Sequence, residues 1–117
     1  MREVSHEQLC EKIDDGADFV LVDARSPMGY ALSHLPGAVN LPPIWVDERA
    51  HRRIPDRAKE VVVYCEGTEC ETSVAVANRL IELGYSNVGH YAEGRQGWVE
   101  AGRKLEGGER SAATKPS

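Results

Sequence analysis

A chain of 117 residues with 41% hydrophobic and 28% charged residues has the size and balance of one globular domain. Its net charge of −5 argues against a nucleic-acid surface, and no apolar run approaches the roughly 18 residues of a membrane span. The segment Met1-Arg2-Glu3-Val4 starts no secretory signal, so the expected address is the cytoplasm, and the three cysteines read as free thiols in a reducing compartment.

Ser5-His6-Glu7-Gln8 has the form of a capping box, with Val4 and Leu9 placed to staple the helix entry and Gly16 to close it. Cys10 lies beside the apolar face of that helix and reads as a small buried hydrophobe. Phe19 to Val22 is a continuous apolar run, as expected of a strand covered on both faces, and Asp23-Ala24-Arg25 follows at its C-terminal end. Ser26-Pro27 then opens a short helix through His34. After the turn at Leu35-Pro36-Gly37, a brief strand runs from Ala38 to Leu41. The stretch from Ile44 to Lys59 reads as polar and irregular, with at most a helical turn after Pro55. Trp45 is expected to shield a pocket from this loop, and the basic cluster of Arg49, His51, Arg52 and Arg53 to be solvated.

Val61 to Tyr64 is the next strand, ending in Cys65. The loop Glu66-Gly67-Thr68-Glu69-Cys70-Glu71 leads into a helix from Thr72 to Leu83 in which Val76, Leu80 and Leu83 recur at helical spacing. A strand through Val88 to Tyr91, a glycine turn at Gly94 and a helix holding Trp98 follow. From Lys104 to Ser117 the composition reads as a disordered tail, leaving residues 1–103 as the domain. Strands alternating with helices predict an α/β domain with a largely parallel sheet, in which functional groups gather beyond the C-terminal strand ends. Asp23, Arg25 and Cys65 all stand at such ends.

A strand–cysteine–turn–helix arrangement offers a sulfur to backbone N–H groups and a helix N-terminus, both of which favour an anion. The chemistry expected is that of a thiolate or a persulfide. No metal is expected, because Cys65 and Cys70 are too far apart for a knuckle and no second ligand pair is spaced to complete a site.

These segments together resemble the rhodanese homology domain. The resemblance rests on Val22-Asp23-Ala24-Arg25, Tyr30, His34-Leu35-Pro36-Gly37-Ala38-Val39-Asn40-Leu41-Pro42, the Val-Val-Tyr-Cys strand, Leu83-Gly84-Tyr85 with Asn87-Val88, and Gly94 followed by Trp98. It implies a single rhodanese-like domain with a central, mostly parallel five-stranded sheet flanked by helices. It also implies a sulfurtransferase that carries sulfane sulfur as a cysteine persulfide, without metal or organic cofactor. The donor would be thiosulfate or a persulfide, and the acceptor a thiol, cyanide or a sulfur-carrier protein.

The loop departs from the commonest family form. Six residues separate Cys65 from Thr72, Thr72 stands where an arginine is usual, and Glu66, Glu69 and Glu71 supply only negative charge. A second cysteine, Cys70, gives the pattern YCxGxxC. Cys65 holds the family position of the sulfur carrier. Cys70, nearer the helix start, is the other candidate, and a third possibility is that Cys70 resolves an oxidised Cys65 as a disulfide. Glu66, Gly67, Thr68, Glu69, Glu71, Thr72, Ser73 and Arg25 are expected to line the substrate site, with Asp23, His34, Gly94 and Trp98 as support. Three carboxylates oppose a doubly charged donor, so thiosulfate is expected to load poorly unless Arg25, Arg95 or the Arg52–Arg53 pair folds over the pocket. A phosphatase or arsenate reductase would need an arginine to clamp its oxyanion, which this loop lacks. The non-enzyme alternative is a redox-sensing or binding module that toggles Cys65 and Cys70 between dithiol and disulfide.

Overall fold

The strand ending in Cys65 is the centre of the molecule, because every one of its side chains is buried. The computed structural model describes residues 1–107. Its elements are β1 (Arg2–Glu3), α1 (His6–Asp14), β2 (Val20–Asp23), α2 (Pro27–Leu32), β3 (Val39–Asn40), α3 (Pro43–Arg53), β4 (Val61–Tyr64), α4 (Thr72–Glu82), β5 (Val88–Tyr91) and α5 (Gly94–Glu100). The strands form one five-stranded sheet in the order β1-β5-β4-β2-β3, parallel throughout.

Alternation along β4 assigns its two faces. Val61 and Val63 pack with Val46, Ala50 and Ile54 and with Val76, Ala77 and Leu80, so α3 and α4 cover that face. Val62 and Tyr64 pack with Leu9, Leu35 and Trp98, so α1 and α5 cover the other. A strand covered on both sides shows no polar alternation, which is why Val61-Val62-Val63-Tyr64 reads as an unbroken apolar run. The capping box at Ser5 is present in full: the Gln8 amide donates to Ser5 Oγ and the Ser5 amide to Gln8 Oε1. Ser26 caps α2 through the Gly29 amide.

One segment overturns its sequence expectation. Residues 43–53 form a three-turn helix, not an irregular loop. Pro43 sits in the first turn, where its missing N–H costs nothing, and the apolar stripe is only Val46 and Ala50, one turn apart. The exposed face is charged, so the average polarity of the segment hides the stripe. Trp45 therefore lies on a helix, with the Arg49 guanidinium 3.8 Å from its ring centre. His51, Arg52 and Arg53 occupy the last turn, where positive charge complements the helix dipole.

Residues 104–107 lie against the domain rather than apart from it. The Trp98 indole N–H donates to Lys104 O at 2.9 Å, Leu105 packs on the second core cluster, and Glu106 makes an isolated antiparallel bridge with His34. The rest of the expected tail, 108–117, lies outside the described residues.

Candidate active site

The sheet order creates a crevice. From β2 the chain passes through α2 to β3 on one side, whereas from β4 it passes through α4 to β5 on the other. The C-terminal ends of β2 and β4 thus flank a topological switch point, the usual place for a ligand in such sheets. Asp23 pairs with Tyr64 in register there, and Cys65 is the next residue.

At the β2 end the polar groups are closed on one another. Asp23 is fully buried and accepts from the Arg25 amide at 2.8 Å, from Arg25 Nε at 3.1 Å on both carboxylate oxygens, and from Arg25 Nη2 at 2.9 Å. Tyr64 donates its hydroxyl proton to Asp23 Oδ2 at 2.7 Å and accepts from the Leu35 amide at 3.0 Å. Burial, with the Asp23 charge beside it, pushes the Tyr64 hydroxyl far above its ordinary value, so it stays a donor. Arg25 Nη2 also donates to Ser33 O, and Asn40 Nδ2 donates to the carbonyls of Asp23 and Arg25 at 3.0 Å. His34 stacks on Tyr30 with ring centres 3.9 Å apart and bonds the Tyr30 carbonyl through Nδ1 at 2.7 Å. Asp23 and His34 are thus built into structural networks, and Trp98 is fully buried beneath Tyr64 and Tyr91.

At the β4 end the loop keeps unpaired groups. Cys65 is 2% exposed and Cys70 half-buried. Their Cα atoms are 6.4 Å apart and their sulfurs are joined as a disulfide. The Cys70 amide donates to Gly67 O at 3.1 Å. By contrast, among the described residues the amides of Glu66, Gly67, Thr68, Glu69, Glu71, Thr72 and Ser73 donate to no protein acceptor. Those of Thr72 and Ser73 are first-turn donors of α4, whose N-cap Glu71 makes no side-chain cap bond.

Helix α5 holds the loop from below. The Arg95 amide donates to Cys65 O at 3.0 Å and the Gln96 amide to Glu66 O at 2.8 Å. This contact explains Gly94: its φ is +64°, and a Cβ there would stand 2.6 Å from Cys65 O. A Cβ on Gly67 would meet Gln96 Oε1 at 2.9 Å, a closeness that a flexible side chain can relieve.

One of the three loop carboxylates, Glu66, is paired with cations. Glu66 accepts from Arg95 Nε at 2.9 Å and Nη2 at 3.0 Å, and Arg25 Nη1 stands 3.5 Å away. The paired Arg95 guanidinium holds the Glu66 carboxyl below the usual carboxylate range, against the opposing effect of burial. Arg25 and Arg95, far apart in sequence, therefore both reach the loop, while Arg52 and Arg53 sit at the end of α3. Glu66, expected to touch substrate, is held between two arginines. The Ser73 hydroxyl is buried and lies 2.8 Å from His90 Nε2, whose Nδ1 is 3.7 Å from Glu3 Oε1. His90 escaped the sequence reading. The available signal was a titratable residue inside a four-residue strand buried throughout.

A family model described as the rhodanese-like domain matches residues 5–101. The chain belongs to the rhodanese-like family. It is 32% identical over 95 residues to the thiosulfate:glutathione sulfurtransferase of Saccharomyces cerevisiae, covering 71% of this chain and 66% of that protein. It is 36% identical over 67 residues to the thiosulfate sulfurtransferase PspE of Escherichia coli, covering 57% and 62%. The rhodanese-like chain thus spans somewhat less than two thirds of the length of either relative. Its fold is that of the BH2092 protein from Bacillus halodurans, with a TM-score of 0.85 over 97% of this chain and 82% of that one at 24% identity. No helix among the described residues is long and apolar enough to cross a membrane, and no group of three or more His, Cys, Asp or Glu side chains among them is placed to hold a metal.

Proposed function

We propose that this chain is a sulfurtransferase that carries sulfane sulfur as a persulfide on Cys65. The observation that carries the reading is the position of Cys65: it ends the central strand at the switch point, under a loop whose amides are left without protein acceptors. A persulfide bears its charge on the outer sulfur, and such donors replace the water that burial removes. The names of the relatives support sulfur transfer as the reaction class. Gly67, Thr68, Glu69, Glu71, Thr72 and Ser73 contribute backbone donors, and Arg25 and Arg95 fix the loop through Glu66. The reaction needs no metal or organic cofactor, and a reducing, cytoplasmic setting suits its thiols.

The donor preferred is a low-molecular-weight or protein persulfide rather than thiosulfate. Both guanidiniums near the loop are engaged by Glu66, and Glu69 and Glu71 remain to oppose a dianion. Steady-state rates with thiosulfate and with glutathione persulfide, using cyanide or a thiol as acceptor, test this. A persulfide rate at least about tenfold higher is expected; an equal thiosulfate rate overturns the donor assignment.

A second reading is favoured by the Cys65–Cys70 bond itself: a redox module that switches between dithiol and disulfide. A reversible redox titration with no sulfur uptake by Cys65 from any donor would favour it.

A further inference from the structure

The transfer reading leaves Cys70 without a role, yet the fold brings it onto Cys65. Four residues of loop separate the two, and their Cα distance of 6.4 Å lies within the range that a disulfide spans without backbone movement. Cys65 is almost fully enclosed, whereas Cys70 is half-buried. A sulfur on Cys65 is therefore met first by a thiol of the same chain, at an effective concentration no external acceptor matches.

Resting on the persulfide reading, we infer that Cys70 is a resolving thiol which discharges the Cys65 persulfide as hydrogen sulfide, and that a dithiol reductant resets the enzyme. The Cys70 thiolate attacks Cys65 Sγ, the inner sulfur. A Cys65–Cys70 bond forms, the bond from Cys65 Sγ to the outer sulfur breaks, and the outer sulfur leaves with the electron pair as HS⁻, taking the proton that Cys70 gave up. The sulfane sulfur is reduced to sulfide and the two thiols are oxidised to the disulfide. A protein or small-molecule dithiol then attacks Cys70 Sγ, the accessible sulfur. Cys65 leaves as a thiolate toward the open amides of the loop, and the second thiol of the reductant closes its own disulfide. The class of acceptor follows: a dithiol supports turnover without limit, whereas a monothiol must react twice.

This path also accounts for the position of Cys70 in the loop. The Cys70 amide is tied to Gly67 O, which folds residues 67–70 into a turn and carries the second sulfur back over the first. Cys10, on α1, takes no part: its sulfur lies 3.3 Å from His6 Nε2, and burial raises its thiol above the ordinary value.

The test is a single turnover. Full-length protein is reduced, freed of reductant, and mixed with one equivalent of glutathione persulfide, with no acceptor beyond the single equivalent of glutathione that loading sets free. A thiol-blocking quench removes that glutathione at once after the single turnover. Sulfide is measured and the protein is weighed intact, net of the blocking groups. Wild type should release about one sulfide per chain and end lighter than the reduced protein by two hydrogens. Cys70→Ser should gain one sulfur atom, keep it, and lose the sulfide burst. Adding a dithiol should restore repeated sulfide release in wild type. A wild-type protein that holds its extra sulfur and releases no sulfide overturns the resolving role and leaves the carrier role of Cys65 standing. A Cys70→Ser protein that takes up no sulfur while wild type does overturns the assignment of Cys65, and with it the direction of attack proposed for Cys70.

Discussion

Two strand ends lie side by side at the switch point, and they differ in how completely their polar groups are satisfied. At the end of β2, Asp23, Arg25, Tyr64 and Asn40 close on one another and on backbone carbonyls. At the end of β4, a more exposed loop keeps seven amides without a protein acceptor among the described residues and holds two cysteines in bonding reach. A closed network of buried charges is rigid and inert. The β4 loop instead leaves its amides free, as the proposed anionic persulfide requires. The first end braces the second, and Arg25 joins them because it bonds Asp23 and faces Glu66.

Removing the sulfur should separate the two ends most sharply. Cys65→Ser should lower sulfur transfer by at least about a thousandfold while leaving the urea midpoint of the reduced protein nearly unchanged. Asp23→Ala should do the reverse in kind. It strips a fully buried carboxylate from Arg25 and Tyr64 and is expected to cost about 3–5 kcal/mol in urea denaturation. A loss under about 1 kcal/mol would mean that the brace is dispensable. Gly94→Ala attacks the junction, since the new Cβ meets the Cys65 carbonyl and φ is positive. About 2 kcal/mol of stability and a slower loading step are expected together. Ser73→Ala leaves His90 without its buried partner and should cost about 1–2 kcal/mol, read from thermal unfolding.

The smallest effect concerns Glu66, and its sign can be worked out. Its folded carboxyl is held low by Arg95, so the clamp contributes fully above the ordinary glutamate value of about 4.3 and is lost as pH falls through the lower folded value. Wild type should therefore lose more stability than Glu66→Gln over that acid interval. At neutral pH the same variant should load thiosulfate about threefold faster, because one opposing charge is gone and the Arg95 guanidinium is released. Equal acid limbs for the two proteins would show that the clamp carries no weight.

Much of this was legible in the sequence, for physical reasons that differ by segment. The capping box at Ser5 and the Ser26-Pro27 start are local hydrogen-bond devices, and both are found where the residues stand. The doubly covered strands at Val20 and Val61 announce themselves by lacking alternation. Helix α3 is hidden because a stripe of Val46 and Ala50 is too narrow to outweigh the nine other residues, most of them polar or exposed. The two-residue strand β1 is set by its pairing with Gly89 and His90, which no local pattern reports. At the site, Cys65 and Asp23 could be placed because strand ends are where such sheets collect chemistry. The Glu66 clamp could not, since Arg25 and Arg95 lie on different elements and meet only in the fold. The contact of Ser73 with His90 is hidden for the same reason, since His90 stands on β5.

The most direct measurement of the central claim is the intact mass of two single variants, Cys65→Ser and Cys70→Ser, after reduction and treatment with a persulfide donor. Cys70→Ser should gain one sulfur atom, and Cys65→Ser should gain none. A sulfur carried by Cys65→Ser, with Cys70→Ser unchanged, would contradict the assignment of the enclosed cysteine at the end of β4 as the carrier.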